Sequence, residues 1–215
     1  MIGDRVRVAI DRTIASLAAI DFPGDPVVSR RSARVASIVM SAYKRHGNII
    51  DLALRECLGD SERYRVWSEP QFRISAAADH LAITEADARR ALLPYGNADR
   101  TVQLDMLVYD LVDECIRSYE IKRANGGHDS GKVQQIKRNL ACVQALLVGY
   151  GDEGLICTPR RAESWIVCYY GVQAGLYKPR ALTRDQLDAH FELPVVDSVE
   201  AATAYYRERL DEVLA

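Results

Sequence analysis

Two runs rich in β-forming residues, 101–111 and 115–124, are separated only by Val112-Asp113-Glu114, and this spacing constrains the fold more than any other feature of the chain. Such runs joined by so short a connection predict an antiparallel hairpin. Asn125-Gly126-Gly127 closes it. Asp129 or Ser130 then caps a long helix running to Val148, with Val133, Ile136, Leu140, Val143 and Leu147 as its buried stripe. Two further strands are expected over 155–158 and 164–170, the second apolar enough to lie centrally in a sheet.

Upstream of the hairpin the pattern is mainly helical. Val8, Ile10, Ile14, Leu17 and Ile20 recur at helical spacing until Pro23-Gly24-Asp25-Pro26 forces a turn. Ser29 or Ser32 caps a second helix carrying Val35, Ile38, Val39 and Ala42, and Gly47-Asn48 predicts a break before a third apolar run, 49–58. Residues 64–74 hold Tyr, Val, Trp, Phe and Ile around Pro70, which predicts a strand pair or a bent edge strand. The capping box Thr84-Glu85-Ala86-Asp87 starts a short helix to Leu93, ended by Pro94-Tyr95-Gly96-Asn97. Residues 185–191 and 198–214 read as C-terminal helices. The expected class is α/β (α+β): a mixed central sheet flanked by helices. A core over 49–171 would carry helical extensions over 1–48 and 172–215, all in one compact unit, as suits 215 residues.

Charge and composition remove several functional classes. With 28 Lys+Arg against 30 Asp+Glu and a net charge of -2, a charge-driven, histone-like nucleic-acid binder is disfavoured. The basic residues are nearly all Arg, with Lys only at 44, 122, 132, 137 and 178. Apolar stretches are broken well short of the ~20 residues needed to cross a bilayer, so no membrane partner is expected. The N-terminus has no uninterrupted apolar signal segment, so the expected location is cytoplasmic. Cys57, Cys115, Cys142, Cys157 and Cys168 are odd in number and widely spaced, which predicts reduced, mostly buried thiols rather than disulfides or a zinc site.

The chemistry concentrates in the hairpin. In Tyr119-Glu120-Ile121-Lys122 the strand alternation puts Glu120 and Lys122 on one face. A turn at 112–114 brings Asp105 level with Glu120. Two carboxylates on adjacent strands make a hard oxygen site suited to Mg2+ or Mn2+, which keep several waters and can bridge a phosphate. A Lys beside that ion can orient or help deprotonate a water while the ion stabilises charge on the phosphorus. The reaction these groups suit is phosphodiester hydrolysis.

At these residues the chain resembles a known superfamily. Gln103-Leu104-Asp105-Met106-Leu107-Val108-Tyr109-Asp110, followed by Ile116-Arg117-Ser118-Tyr119-Glu120-Ile121-Lys122-Arg123-Ala124, is similar to the paired-strand core of the PD-(D/E)xK nucleases, the restriction-endonuclease-like fold. Leu104 stands where the family pattern carries Pro. The family order of helix, strand, Asp strand, Glu-x-Lys strand, helix and strand matches the reading of residues 49–171, roughly half the chain. The resemblance implies a Mg2+-dependent deoxyribonuclease in which Mn2+ can substitute. Asp105, Glu120 and the backbone carbonyl of Ile121 would be the metal ligands, and Lys122 the water-positioning base. It suggests Glu56 as a further acidic ligand, and Lys132 and Gln135, at the start of the following helix, as phosphate-facing residues. Glu69 is a weaker candidate, and Asp110, on the opposite strand parity from Asp105, is not expected to share its site unless a bulge intervenes. The expected function is a DNA endonuclease of the restriction or defence type, acting as a homodimer because a duplex cut needs two sites. The alternatives are a repair or recombination nuclease for branched or damaged DNA, and a DNA-binding protein of the same fold without catalysis. Arg30-Arg31, Arg34, Lys44-Arg45, Arg89-Arg90 and Arg160-Arg161 are candidate phosphate contacts.

Overall fold

The computed structural model describes residues 2–20, 26–83, 91–123, 130–153, 157–171 and 180–215. They form a mixed α/β fold, one five-stranded sheet with six helices. Two compact units compose it: Met1–Cys57 with Asp188–Ala215, and Leu58–Leu187. Of the segments expected as helical extensions, 1–48 and 188–215 fall in the first unit, whereas 180–187 belongs to the second. The boundaries lie at 58 and 187 where the sequence suggested 49 and 171.

In the first unit, α1 (Asp4–Ala19) buries Val6, Ile10, Ile14 and Leu17, one stripe at helical spacing. Helix α2 (Arg30–Gly59) runs unbroken for 30 residues, so the expected interruption at Gly47-Asn48 does not occur. Ile38, Ala42, His46, Ile50 and Leu54 continue one buried stripe through that point. Their burial outweighs the roughly 1 kcal/mol that a mid-helix glycine costs. Helix α6 (Val195–Leu214) joins them: Tyr206 donates to the Ala42 carbonyl at 3.0 Å, Tyr205 to Asp11 at 2.9 Å, and His46 pairs with Thr203 at 3.1 Å.

The second unit is built on the sheet. Its elements are β1 (Tyr64–Ile74), α3 (Ala76–Leu81), β2 (Arg100–Asp110), β3 (Cys115–Lys122), α4 (Ser130–Glu153), β4 (Arg161–Cys168), β5 (Ala181–Thr183) and the start of α5 (Arg184–Phe191). The strand order is β1-β2-β3-β4-β5. The first two pairings are antiparallel, and β3–β4 and β4–β5 are parallel. Helix α4 is the long connection that a parallel β3–β4 pair requires. Its expected stripe is buried, and Cys142, Val143, Leu146 and Leu147 pack with Ile116, Leu107 and Tyr109 of the sheet.

Several local expectations are corrected. Residues 157–158 are irregular, residues 154–156 lie outside the described residues, and β4 starts only at Arg161. The capping box at 84–87 and the Asn125-Gly126-Gly127 closure also lie outside the described residues. The helix expected to reach Leu93 does not include 91–93, which are extended or irregular. That stretch lies on α4: the Leu93 amide donates to the Ala145 carbonyl at 2.9 Å. Gly149 permits the approach, since a Cβ there would sit 2.7 Å from the Tyr95 nitrogen and 2.8 Å from the Leu93 carbonyl oxygen. Four cysteines are buried, Cys57 is half-buried, and none forms a disulfide. Among the described residues no helix is long and apolar enough to cross a membrane.

Candidate active site

The register of the edge strand β1 against β2 shifts on both sides of Glu69, next to Pro70. Between the pairs Trp67↔Leu107 and Glu69↔Leu104, β2 advances three residues against two on β1; between Glu69↔Leu104 and Phe72↔Val102 the excess reverses. Paired bulges result. Their effect is visible in the core facing α4, which takes Val102 and Leu104 before the bulge but Leu107 and Tyr109 after it. Simple alternation along β2 therefore fails, and the extra residue falls at Asp105 and Met106. Met106 is fully buried, whereas Asp105 keeps partial exposure.

The β2–β3 register runs from Asp110↔Cys115 to Met106↔Tyr119 and ends there, just short of Asp105 and Glu120. The observed contact is to the next residue: Asp105 Oδ2 accepts the backbone N–H of Ile121 at 2.9 Å. Glu120 and Lys122 lie on either side of that amide. Their side chains share the face of Ile116, because Glu120 pairs with Ile166 and Lys122 with Cys168, both packed under Val133, Ile136 and Leu140 of α4. Lys122 Nζ donates to Glu120 Oε1 at 2.5 Å, with both side chains about 30% exposed. The three groups named from the sequence are thus gathered on two neighbouring strands.

A pocket of about 70 Å3 lies between the hairpin and α4. Gln103, Ser118, Glu120, Lys132, Gln135 and Asn139 are among its polar lining residues. Lys132 and Gln135 therefore face the same recess as Glu120, and Gln135 donates to Asn139 at 2.9 Å. Asp105 and Lys122 are not among the lining residues; Lys122 contacts Glu120 directly, and Asp105 contacts the neighbouring Ile121 amide.

Other candidates are engaged elsewhere. Both carboxylate oxygens of Glu56 accept from the N-terminus of α1, from Arg5 N at 3.0 Å and Val6 N at 3.1 Å, which suits an anion at a helix start. A side chain at Gly3 would collide with that carboxylate. Glu69 accepts from Tyr150 at 2.9 Å and from the Gln71 amide. Asp110, fully buried at the end of β2, receives Arg63 at 2.9 Å and Arg117 at 3.1 Å. It also accepts the Val112 and Asp113 amides of the hairpin turn. Burial pushes its carboxyl up, but these donors outweigh burial and hold it down at about 2. Sequence parity separated Asp110 from Asp105 but did not show this buried ion cluster. Of the basic clusters, Arg160 and Arg161 pair with Glu114 and Asp113, Arg45 donates to Ser16, and Arg89-Arg90 lie outside the described residues.

Among the described residues no group of three or more His, Cys, Asp or Glu side chains is gathered to hold a metal. A cation here would rest on the Asp105 and Glu120 carboxylates, the Ile121 carbonyl and water. Those are hard oxygen donors, few in number, which suits Mg2+ because it retains much of its hydration. No protein-family model matches the chain, and neither does any curated protein or any solved structure.

Proposed function

We propose that the chain is a Mg2+-dependent DNA endonuclease of the PD-(D/E)xK type. One observation carries the reading: Asp105, on the β2 bulge, is hydrogen-bonded to the peptide amide between Glu120 and Lys122. That contact joins two carboxylates and an ammonium on adjacent strands beside a recess walled by Lys132 and Gln135. The order of α2, β1, β2, β3, α4 and β4, with three antiparallel strands followed by a parallel one, supports it.

Asp105, Glu120 and the Ile121 carbonyl would hold the cation, whose chemistry is to lower the pKa of a bound water and to stabilise charge on the phosphate. Lys122, fixed by its ion pair with Glu120, has further N–H donors with which to orient the attacking water. Lys132 and Gln135 offer donors to the non-bridging phosphate oxygens. A homodimer would present two such sites to a duplex, and hydrolysis would leave a 5′-phosphate. The proposed role is restriction or defence, with repair of branched or damaged DNA as the alternative.

A second reading, a DNA-binding protein of this fold without catalysis, is favoured by one specific observation. Lys122 is already bonded to Glu120 and Asp105 to the Ile121 amide, so the trio is internally satisfied. Incubation with plasmid DNA and Mg2+ or Mn2+ separates the two readings. The nuclease cuts, and Asp105→Ala and Lys122→Ala lose at least about 100-fold in rate. DNA that stays intact with the wild-type protein, or is cut equally by both variants, excludes the assignment.

A further inference from the structure

A second pocket, of about 320 Å3, lies on the opposite side of α4 from Glu120 and is walled by Ala82, Ile83, Gln134, Lys137, Arg138 and Ala141. The helical period explains the separation: 134, 137, 138 and 141 share one face, while 132, 135, 136 and 139 share the other.

The cations in this pocket are arranged unlike ordinary surface charges. Arg138 Nε donates to Asp79 at 3.0 Å, and Asp79 is also gripped by Arg100 through two bonds of 2.9 Å. One carboxylate thus serves two guanidinium groups and holds Arg138 on the rim through Nε, with no bond to its terminal nitrogens among the described residues. Lys137 is half-buried and makes no hydrogen bond or ion pair among the described residues. From Ser130 to Gly151, α4 carries no acidic residue. A partly desolvated ammonium beside an anchored guanidinium, with the nearby carboxylate already doubly engaged, is a site for an oxyanion.

We infer that this pocket binds a backbone phosphodiester of the nucleic acid whose scissile phosphate lies at Asp105 and Glu120, so that the strand crosses the exposed ridge of α4. The inference rests on the nuclease reading for the identity of its ligand. The ridge fits the role, because Gln134, Gln135 and Arg138 are exposed there and present donors and no negative charge. Lys137 would act on binding, without touching the reacting atoms.

The test is fluorescence anisotropy of a labelled duplex oligonucleotide in EDTA, where no cleavage competes, across a series of salt concentrations. Lys137→Ala is expected to weaken binding several-fold and to lower the salt slope by about one, with Lys137→Arg restoring both. Inorganic phosphate should compete weakly against the wild-type protein. Unchanged affinity and slope in Lys137→Ala, with wild-type binding and cleavage intact, overturns this site alone. Phosphate binding that depends on Lys137 while duplex binding does not would reduce it to a free-anion site and overturn it as well. A wild-type protein that neither binds nor cuts DNA removes the nuclease reading itself. Because Lys137 is half-buried, matching thermal melts of the variants check that folding is retained.

Discussion

Asp105 Oδ2 accepts the Ile121 backbone N–H at 2.9 Å, and this one bond ties the bulge of β2 to the peptide between Glu120 and Lys122. A carboxylate bonded to a main-chain amide has its direction set by the sheet rather than by rotamer preference alone. The same bond holds the Asp105 carboxylate beside the strand segment that carries Glu120 and Lys122. Pro70 lies within the second of two paired register shifts between β1 and β2, and the first puts an extra β2 residue at 105–106; a proline on an edge strand suits such an irregularity. Replacing Pro70 with Val should relax the paired bulges and lower cleavage more than it lowers stability. Comparing the cleavage rate per folded molecule with the midpoint of a urea melt checks this.

Glu56 and Asp105 should separate cleanly in a mutational comparison. Glu56 satisfies two orphan amides of α1, so Glu56→Ala should cost about 1 kcal/mol of stability. Its cleavage rate per folded molecule should stay at the wild-type level. A hundredfold loss of rate in a fully folded Glu56→Ala protein would instead make it a metal ligand.

Asp110 and Asp79 set the acid limit of the fold. Both are held at about 2 against an ordinary value of 3.8; burial works against Asp110, and the bond from Arg100 leads for Asp79. Depressed carboxylates stabilise the folded state above the unfolded pKa, and that contribution disappears as pH falls from about 4 to about 2. For buried Asp110 the contribution is roughly 2 kcal/mol. Urea denaturation at steps between pH 6 and pH 2 should show stability falling through that window, and Asp110→Asn should flatten the fall.

Gly149 is required by its neighbours rather than by helix preference. A methyl group there would press on the main chain at Leu93 and Tyr95, so Gly149→Ala should destabilise by roughly 1–3 kcal/mol, although Ala is the better helix former. A thermal melt of the variant checks the sign.

The thiols should react in an order set by burial. Burial pushes Cys142 up to about 12, and Cys115 and Cys157 up to about 11, while Cys57 is the half-buried member of the set. A thiol-reactive dye should label Cys57 first and the remaining four only after unfolding, as peptide mapping would show.

The hairpin, the α4 stripe and the trio on β2 and β3 were legible in the sequence because each is governed by local spacing. The single α2 was not, because Gly47 marks a break unless a continuous buried stripe outweighs it, and burial is tertiary information. The bulge is not legible along β2 alone for a related reason: it is defined by the register of β2 against β1. Glu56 was assigned by position along a helix, whereas its partners lie some fifty residues earlier in α1. The three-residue β5 is too short to carry a pattern and is defined by its pairing with β4.

The central claim is that Glu120 and Lys122, with Asp105, perform phosphodiester hydrolysis. The most direct measurement is the rate at which supercoiled plasmid is nicked in Mg2+ by the wild-type protein and by Glu120→Gln, which keeps size and removes charge. Nicking by the wild type, abolished by EDTA and at least about 100-fold slower in a folded Glu120→Gln protein, is the predicted result. Equal rates for the two proteins, or a rate indifferent to EDTA, would contradict the account.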